Sequence, residues 1–259
     1  MNFKLPFLPE RSQKPREKGL AMVMDKGLST QEAANLCEMG GEYIDFVKFG
    51  FGTSIVSKNI KEKINIYRSC GIRPYFGGTL FEAFLIRNMF DEYRRFVDEH
   101  KLDLVEVSDG SMVLEHPKKC EYIHQLSKQY TVLSEVGSKE ESIIISPSKW
   151  IKMMTKELEA GAFKVIAEAR ESGNVGIYRS NGSAHVVLIN KILSAIDGDK
   201  IIWEAPNKSQ QVWFVRLLGP NVNLGNIAPT EIISLETIRM GLRGDTFFQF
   251  LPEELHPKD

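Results

Sequence analysis

The sequence has no long apolar run and few cysteines, and its charges nearly cancel. Its 259 residues carry a formal net charge of −1, so the balance indicates neither a nucleic acid nor an anionic membrane surface as a partner. No stretch is long and apolar enough for a membrane span, and the proline-punctuated first 19 residues do not resemble a signal peptide. We therefore expect a cytoplasmic protein without a membrane segment.

Cysteine and histidine are scarce and scattered. Cys37, Cys70 and Cys120 are too widely spaced for a disulfide framework or a metal-ligand motif, so we expect free thiols. The five histidines fall mostly in predicted helices or near the termini, which argues against a zinc site. No low-complexity segment, linker or internal repeat divides the chain, which indicates one domain. The oligomeric state is left open, a homo-oligomer included.

Short apolar segments alternate with amphipathic segments after an irregular arm at residues 1–19. The predicted strands are 20–24, 43–49, 72–76, 102–107, 131–136, 164–173, 200–205 and 222–227. The predicted helices are 29–41, 59–69, 80–100, 117–130, 146–161, 184–195, 209–218 and 229–242. Eight such units over about 230 residues indicate a parallel (β/α)8 TIM barrel that occupies residues 20–259 as a catalytic domain. An open doubly wound sheet, usually of fewer strands, is the alternative.

The segment 164–173, KVIAEARESG, carries charges on one side of a two-residue alternation. Lys164, Glu168 and Arg170 share this side with Ile166, whereas the other side is small and apolar. A strand between two helices should be buried on both faces, where charges are rare unless they are paired or bound. A charged face at the end of such a strand is typical of an active site at the mouth of an α/β barrel. The alternative is a buried ion-pair network without chemistry.

Other strands place polar residues in the same phase near their C-terminal ends. The residues expected to converge on one mouth are Lys48, Glu106, Glu135, Lys164, Glu168, Arg170 and Glu204, together with Asp25 after the first strand. Carboxylates without histidine or cysteine suit a hard cation such as Mg²⁺. The sequence therefore predicts a Mg²⁺ site among the four glutamates, and the neighbouring lysines and arginine suit an anionic substrate.

Two glycine-rich strand ends could add backbone N–H donors for an anion. The first is GGT at 77–79, with Gly77 and Gly78, and the second is GPNVNLGN at 219–226, with Asn221, Asn223 and Gly225. The second spans the last strand, a place where barrel enzymes often bind phosphate. We expect these residues to bind substrate, although glycine after a strand also serves plain turns.

Eight motifs occur in the order found in a known family. They are DFVKFGFGTS (45–54), GGTLFE (77–82), EVSDGS (106–111), EVGSK (135–139), KVIAEARESG (164–173), WEAPNKSQQ (203–211), GPNVNLGNI (219–227) and LETIRMGLRGDT (235–246). From about residue 14 to 246 the chain resembles phosphosulfolactate synthase. The resemblance implies a (β/α)8 barrel and Mg²⁺-dependent addition of sulfite to phosphoenolpyruvate. The product would be (2R)-phospho-3-sulfolactate, which leads to coenzyme M or to sulfolactate.

Site roles follow from this resemblance as expectations. Lys139, which matches the EVGSK motif, is expected to be the general acid. Lys139, Glu168 and Lys48 are assigned to catalysis. The cation ligands are assigned first to Glu168 and Glu204, then to Glu135 and Glu106. Substrate binding is assigned to Arg170, Lys164, Gly77, Gly78, Asn221, Asn223 and Gly225, with Lys48 also suited to an anion.

Two other functions stay open on the sequence. A Schiff-base aldolase would use Lys164 or Lys48 as the amine. A relative of the plant heat-stress-associated proteins could keep the barrel without catalysis, although such a scaffold has no need for so many buried charges. Arg239 and Arg243, one helical turn apart, either reach an anion or form an exposed face that pairs with Glu236.

Overall fold

Short apolar runs form eight parallel strands in the computed structural model, which describes residues 3, 5–137, 146–169 and 172–257. The strands are β1 Ala21–Asp25, β2 Phe46–Phe49, β3 Arg73–Phe76, β4 Leu104–Val107, β5 Thr131–Val136, β6 Lys164–Ala167, β7 Ile201–Glu204 and β8 Leu224–Ile227. Their order is β3-β2-β1-β8-β7-β6-β5-β4, and β3 and β4 lie side by side at the remaining seam. The predicted single-domain (β/α)8 barrel is confirmed.

The helices of the described residues form the outer layer. They are α1 Thr30–Gly40, α2 Thr53–Val56, α3 Ile60–Ser69, α4 Gly78–Leu85, α5 Phe90–Glu99, α6 His116–Ser127, α7 Pro147–Glu159, α8 Val186–Leu193, α9 Lys208–Leu218 and α10 Ile232–Arg239. The long helix predicted over 80–100 is wrong, because the chain breaks between α4 and α5. Asn88 there has φ of +55°, a left-handed conformation that asparagine tolerates and that ends a helix.

The barrel interior is filled by apolar side chains from alternate strand positions. The inner cluster consists of Leu20, Met22, Met24, Phe46, Tyr75, Leu104, Leu133, Ile166 and Ile202. A separate, larger cluster joins the outer strand faces to the helices. Because the interior is packed, the polar residues beyond it at the C-terminal strand ends form the floor of an open mouth.

The N-terminal arm lies across the opposite end of the barrel. Arg11 pairs with Glu236 at 2.8 Å, and Arg16 pairs with Asp45 at 2.9 Å, just before β2. Asp45 also accepts a hydrogen bond from the first backbone N–H of β1. The domain boundary at residue 20 stays a prediction. In the described ranges, no helix combines the length and apolar character needed to cross a bilayer.

Candidate active site

A cavity of about 740 Å³ opens at the C-terminal ends of the strands. Its lining includes Met24, Lys48, Phe51, Gly77, Thr79, Glu106, Ser111, Glu135, Glu168, Ser172, Glu204 and Asn226. Side chains alternate along each strand, so every second side chain points into the barrel. The inner apolar cluster occupies these inward positions in the middle of the barrel, and the four glutamates and Lys48 occupy the inward positions nearer the C-terminal ends of the strands. The predicted convergence of these five side chains at one mouth is confirmed.

The ammonium of Lys48 is surrounded by carboxylates. Its Nζ lies 2.9 Å from Glu106 Oε1, 3.3 Å from Glu135 Oε2 and 3.7 Å from Glu204 Oε1. Burial alone would lower the pKa of Lys48, but the charges of Glu106 and Glu135 outweigh it and hold this pKa well above its usual value. Lys48 is therefore a fixed positive charge in the cavity.

Only one of the two carboxylate oxygens of Glu204 accepts a hydrogen bond from the described residues. Its Oε2 accepts a hydrogen bond of 2.9 Å from the backbone N–H of Ala169, whereas its buried Oε1 has no hydrogen-bond donor among the described residues. Burial raises the pKa of Glu204, Lys48 partly opposes this rise, and Glu135 adds to it, so that the pKa reaches about 7. The Oε1 atom is thus available to a proton or to a cation.

Three of the glutamates can share one cation. Glu135, Glu168 and Glu204 each offer a carboxylate oxygen, and these oxygens lie within 4.8 Å of one another. All three residues are buried, and the set consists of oxygen ligands alone, which suits Mg²⁺. Glu204 Oε1 has Lys48 Nζ at 3.7 Å but no hydrogen-bond donor among the described residues, which gives a specific reason for a cation at this position. The residues present therefore fit the predicted Mg²⁺.

We expect the affinity of this site for a divalent cation to rise as the pH increases through about 7, the pKa of Glu204. The raised pKa means that Glu204 holds a proton below this pH, so that proton and cation compete for the same carboxylate. Titration with Mn²⁺ between pH 6 and 8, followed by the electron paramagnetic resonance of free Mn²⁺, measures the effect. The same titration without protein is the control, and an affinity that falls with rising pH contradicts the expectation.

A network behind Glu135 was not predicted. The hydroxyl of Ser108 lies 2.5 Å from Glu82 Oε1 and 2.9 Å from Glu135 Oε1, and the backbone N–H of Ser111 donates to Glu82 Oε2 at 2.5 Å. Ser108 follows Glu106 by two residues, so the alternation along β4 already indicated that its side chain points into the barrel. Glu82 lies in helix α4, and only its place in the GGTLFE motif marked it.

The predicted glycines support the site by allowing close packing. A Cβ at Gly77 would lie 3.0 Å from Lys48 Cε, and one at Gly78 would lie 2.3 Å from Ser108 Cβ. The backbone N–H of Gly78 donates to Glu106 Oε1 at 2.7 Å. Gly225 lies inside the barrel, where a Cβ would meet Met22. Their assignment to substrate binding stays a prediction.

The expected placement of Lys164, Asn221 and Asn223 at this mouth is wrong. Lys164 opens β6 and its Nζ donates to the backbone oxygen of Asp199 at 2.6 Å, at the N-terminal end of the barrel. The side chain of Asn223 donates to the same oxygen, and that of Asn221 donates to the N-terminal arm. These three residues therefore lie outside the candidate site. The two-residue alternation predicted the face of the strand on which a side chain lies, but it does not show at which end of the barrel that side chain is found.

Asp25 also faces away from the mouth. It is fully buried on the outer side of β1, where its Oδ2 accepts hydrogen bonds from Lys63 at 2.7 Å and from Tyr67 at 2.9 Å. Its Oδ1 accepts the backbone N–H groups of the following turn. The side chains alternate along the strand, so Asp25 has the opposite phase to Met24, which lines the cavity. Its contacts are those of a structural residue.

Substitution Asp25→Asn is expected to lower the free energy of unfolding by about 3–5 kcal/mol, because it leaves the Lys63 ammonium buried without its counter-charge. Urea unfolding measures this loss, and Asp91→Asn, at an exposed aspartate of α5, is the matched control. Mn²⁺ binding by the folded fraction should be unchanged, since Asp25 does not reach the cavity. Loss of cation binding without loss of stability would place Asp25 in the site instead.

The two arginines considered for anion binding are occupied elsewhere. Arg239 is fully buried and donates to the backbone oxygens of Pro220, Val222 and Leu20. Arg243 donates to the hydroxyl of Ser234. Glu236 pairs with Arg11 of the arm rather than with either of them. Both alternatives suggested by the sequence are therefore wrong for Arg239, which supports the N-terminal end of the barrel.

Asn226 is a cavity residue that the pattern did not single out. It has φ of +56°, and its buried Oδ1 has no hydrogen-bond partner among the described residues. The GPNVNLGN loop therefore reaches the cavity through its last residue. Lys139 and Arg170, predicted as general acid and substrate ligand, lie outside the described residues, so both assignments stay predictions.

Sequence comparisons point to one enzyme family. The model of the (2R)-phospho-3-sulfolactate synthase (ComA) family matches residues 9–245. The phosphosulfolactate synthase of Methanothermobacter thermautotrophicus is 44% identical over 244 residues, which cover 92% of this chain and 95% of that protein. The Bacillus subtilis phosphosulfolactate synthase is 42% identical over 244 residues, with coverages of 93% and 97%. Protein HEAT-STRESS-ASSOCIATED 32 of Arabidopsis thaliana is 21% identical over 261 residues, with coverages of 89% and 88%.

Structural comparison supports the fold alone. The 3-hexulose-6-phosphate synthase of Salmonella typhimurium superposes with a TM-score of 0.56 at 15% identity, covering 86% of this chain and all of that one. Identity this low carries no information about substrate, because one barrel fold serves many chemistries.

Proposed function

The chain belongs to the (2R)-phospho-3-sulfolactate synthase family, and on that premise we propose that it adds sulfite to phosphoenolpyruvate in a Mg²⁺-dependent reaction. The product is (2R)-phospho-3-sulfolactate. The membership of the family makes the chain an enzyme, while the two substrates and the metal are our proposal. Its cytoplasmic location stays a prediction from the sequence.

One observation carries the proposal, namely the three glutamates that converge beside Lys48 in the mouth of the barrel. Phosphoenolpyruvate and sulfite bring three anionic groups into one cavity, so the site needs positive charge. Mg²⁺ held by Glu135, Glu168 and Glu204 would stabilise the negative charge that develops on the substrate carboxylate. Lys48, which is held in place by its carboxylate partners, supplies a further positive charge at the bottom of the same cavity.

The bond changes define what the side chains must do. The sulfur lone pair of sulfite forms a bond to the methylene carbon of phosphoenolpyruvate, and the electron pair of the double bond moves toward the adjacent carbon and the carboxylate. A proton then has to reach the carbon that bears the phosphate ester, from one face only, to give the 2R product. Lys139, four residues after Glu135 in the chain, remains our candidate for this general acid. Asn226, whose side-chain oxygen has no hydrogen-bond partner among the described residues, lines the same cavity.

Incubation with phosphoenolpyruvate, sulfite and Mg²⁺, followed by mass detection of a sulfonated phospho acid, tests the proposal. Formation of this product supports it, and its absence favours a non-catalytic relative of the heat-stress-associated type. The 44% identity to a phosphosulfolactate synthase, against 21% to the heat-stress-associated protein, favours catalysis.

A Schiff-base aldolase fits the site poorly. Lys164 lies at the other end of the barrel, and the pKa of Lys48 is raised by Glu106 and Glu135 despite its burial, whereas an amine nucleophile needs a lowered pKa. Borohydride treatment in the presence of a keto acid distinguishes the two functions. A covalent adduct on either lysine would support the aldolase, and we expect none.

A further inference from the structure

We propose that Glu106 and Tyr75 are positioning residues, which hold the Lys48 ammonium closest to Glu106 and so limit its competition with the cation for Glu135 and Glu204. The sequence, through its charge pattern and its family resemblance, predicted Glu106 as a metal ligand. The inference rests on the cation site of the proposed function, and it changes the part that the fourth glutamate plays there.

Both carboxylate oxygens of Glu106 are engaged by donors of the described residues. Its Oε1 accepts the backbone N–H of Gly78 at 2.7 Å and lies 2.9 Å from Lys48 Nζ, and its Oε2 accepts the hydroxyl of Tyr75 at 2.9 Å. The side chain is fully buried. These three donors fix the orientation of Glu106. Its oxygens are not part of the group within 4.8 Å of one another that could share an ion.

Tyr75 fixes the orientation of Glu106 across the barrel seam. Tyr75 belongs to β3 and Glu106 to β4, the two strands that meet where the ring of strands closes. Burial and the nearby charge of Glu106 both raise the pKa of Tyr75 well above its usual value, so its hydroxyl stays a donor. The Tyr75 hydroxyl therefore links β3 to β4 and orients the carboxylate that lies nearest to Lys48.

Lys48 is shared between two sets of carboxylates. Its Nζ is nearest to Glu106, at 2.9 Å, and lies 3.3 Å from Glu135 and 3.7 Å from Glu204, which both belong to the cation site. An ammonium freed from Glu106 would settle on the latter two and compete with a divalent cation for them, because like charges at this distance repel strongly in a buried site. Glu106 thus acts on the cation through Lys48.

A double-mutant cycle separates positioning from direct ligation. The probe is Mn²⁺, whose dissociation constant is measured in the full-length protein and in Glu106→Gln, Lys48→Met and the double variant. We expect Glu106→Gln to weaken Mn²⁺ binding about tenfold when Lys48 is present. In the Lys48→Met background the same substitution should change binding by less than about threefold, because the competing ammonium is gone. An equal loss in both backgrounds shows a direct ligand and overturns the inference, as does no loss in either.

A second measurement uses the milder variant Tyr75→Phe and requires no cation. Tyr75→Phe removes only the hydroxyl, and Tyr93→Phe is the matched control, because the Tyr93 hydroxyl is buried without a hydrogen-bond partner among the described residues. In protein labelled with ¹⁵N-lysine, the Lys48 ammonium signal is identified by its absence from Lys48→Met. We expect Tyr75→Phe to shift or broaden this signal, whereas Tyr93→Phe should not.

The signals of two other buried lysines are internal references for this measurement. Among the described residues, Lys63 pairs with Asp25, and Lys119 pairs with Asp109 and Glu157 and donates to the backbone oxygen of Glu135. Neither of these ammonium groups is bonded to Glu106 or Tyr75, so neither signal should move in Tyr75→Phe. An unchanged Lys48 signal, or an equal change in all three, overturns the inference. If wild-type protein binds no Mn²⁺, the cation site of the proposed function fails, and the ammonium signal still decides whether Tyr75 and Glu106 position Lys48.

Discussion

Glu168→Gln and Glu204→Gln should each lower turnover by a factor on the order of 100 to 1,000, together with a loss of Mn²⁺ binding. An amide keeps the shape of the side chain but removes the charge and one acceptor. Both residues belong to the buried group whose oxygens lie within 4.8 Å of one another, so each substitution removes one of the three oxygens that could share an ion. Steady-state rates at increasing Mg²⁺, with Mn²⁺ binding measured on the same preparations, test this result.

The matched control for these variants is Glu159→Gln. Glu159 pairs with Lys156 on the exposed side of α7, where an ion pair contributes little to stability and nothing to the cavity. Its rate and Mn²⁺ affinity should equal those of the unsubstituted protein. Full turnover of Glu168→Gln or Glu204→Gln, with normal Mn²⁺ affinity, would show that the three glutamates form a structural network rather than a cation site.

Lys139→Ala is expected to lower the maximal rate by a factor of about 100 to 10,000 with little change in the Michaelis constant for phosphoenolpyruvate. A positioned general acid acts in the protonation step, and losing it slows that step without weakening the bound ground state. The measurement is the maximal rate and the Michaelis constant of Lys139→Ala at saturating sulfite and Mg²⁺. Lys128→Ala, at an exposed lysine after α6, is the control and should behave as the unsubstituted protein does.

The opposite pattern would reassign Lys139. A raised Michaelis constant with a preserved maximal rate would mean that Lys139 binds a substrate anion, and another acid would then have to supply the proton. Lys48 would be the next residue to test, because its ammonium lies in the cavity. Lys164 would not be, because it opens β6 at the far end of the barrel.

The barrel and the floor of its mouth could be predicted because both depend on short-range periodicity. Alternation along a strand sends every second side chain inward, which placed Lys48, Glu106, Glu135 and Glu204 correctly from their phase alone. The same rule could not tell that Lys164 stands at the beginning of its strand and Glu168 at the end. It also could not tell that Asp25 has the outward phase, because β1 is buried on both faces and its other residues are all apolar.

Contacts between distant parts of the chain were beyond the sequence pattern. Glu106 is held by Tyr75 and Gly78, which come from the preceding unit. It lies outside the group of three glutamates whose oxygens could share an ion. Glu82 reaches Ser108 from a helix, where no strand phase applies. The break before α5 depends on the left-handed backbone of Asn88, which a continuous amphipathic pattern over 80–100 conceals.

The most direct measurement follows phosphoenolpyruvate labelled with ¹³C at its methylene carbon by nuclear magnetic resonance, in the presence of sulfite and the protein. With Mg²⁺ present, we expect the vinyl signal to be replaced by that of a methylene carbon bonded to sulfur. Exhaustive chelation should stop this conversion, and added Mg²⁺ should restore it. Persistence of the vinyl signal with Mg²⁺ present, or conversion at an unchanged rate after chelation, would contradict the proposed Mg²⁺-dependent addition of sulfite.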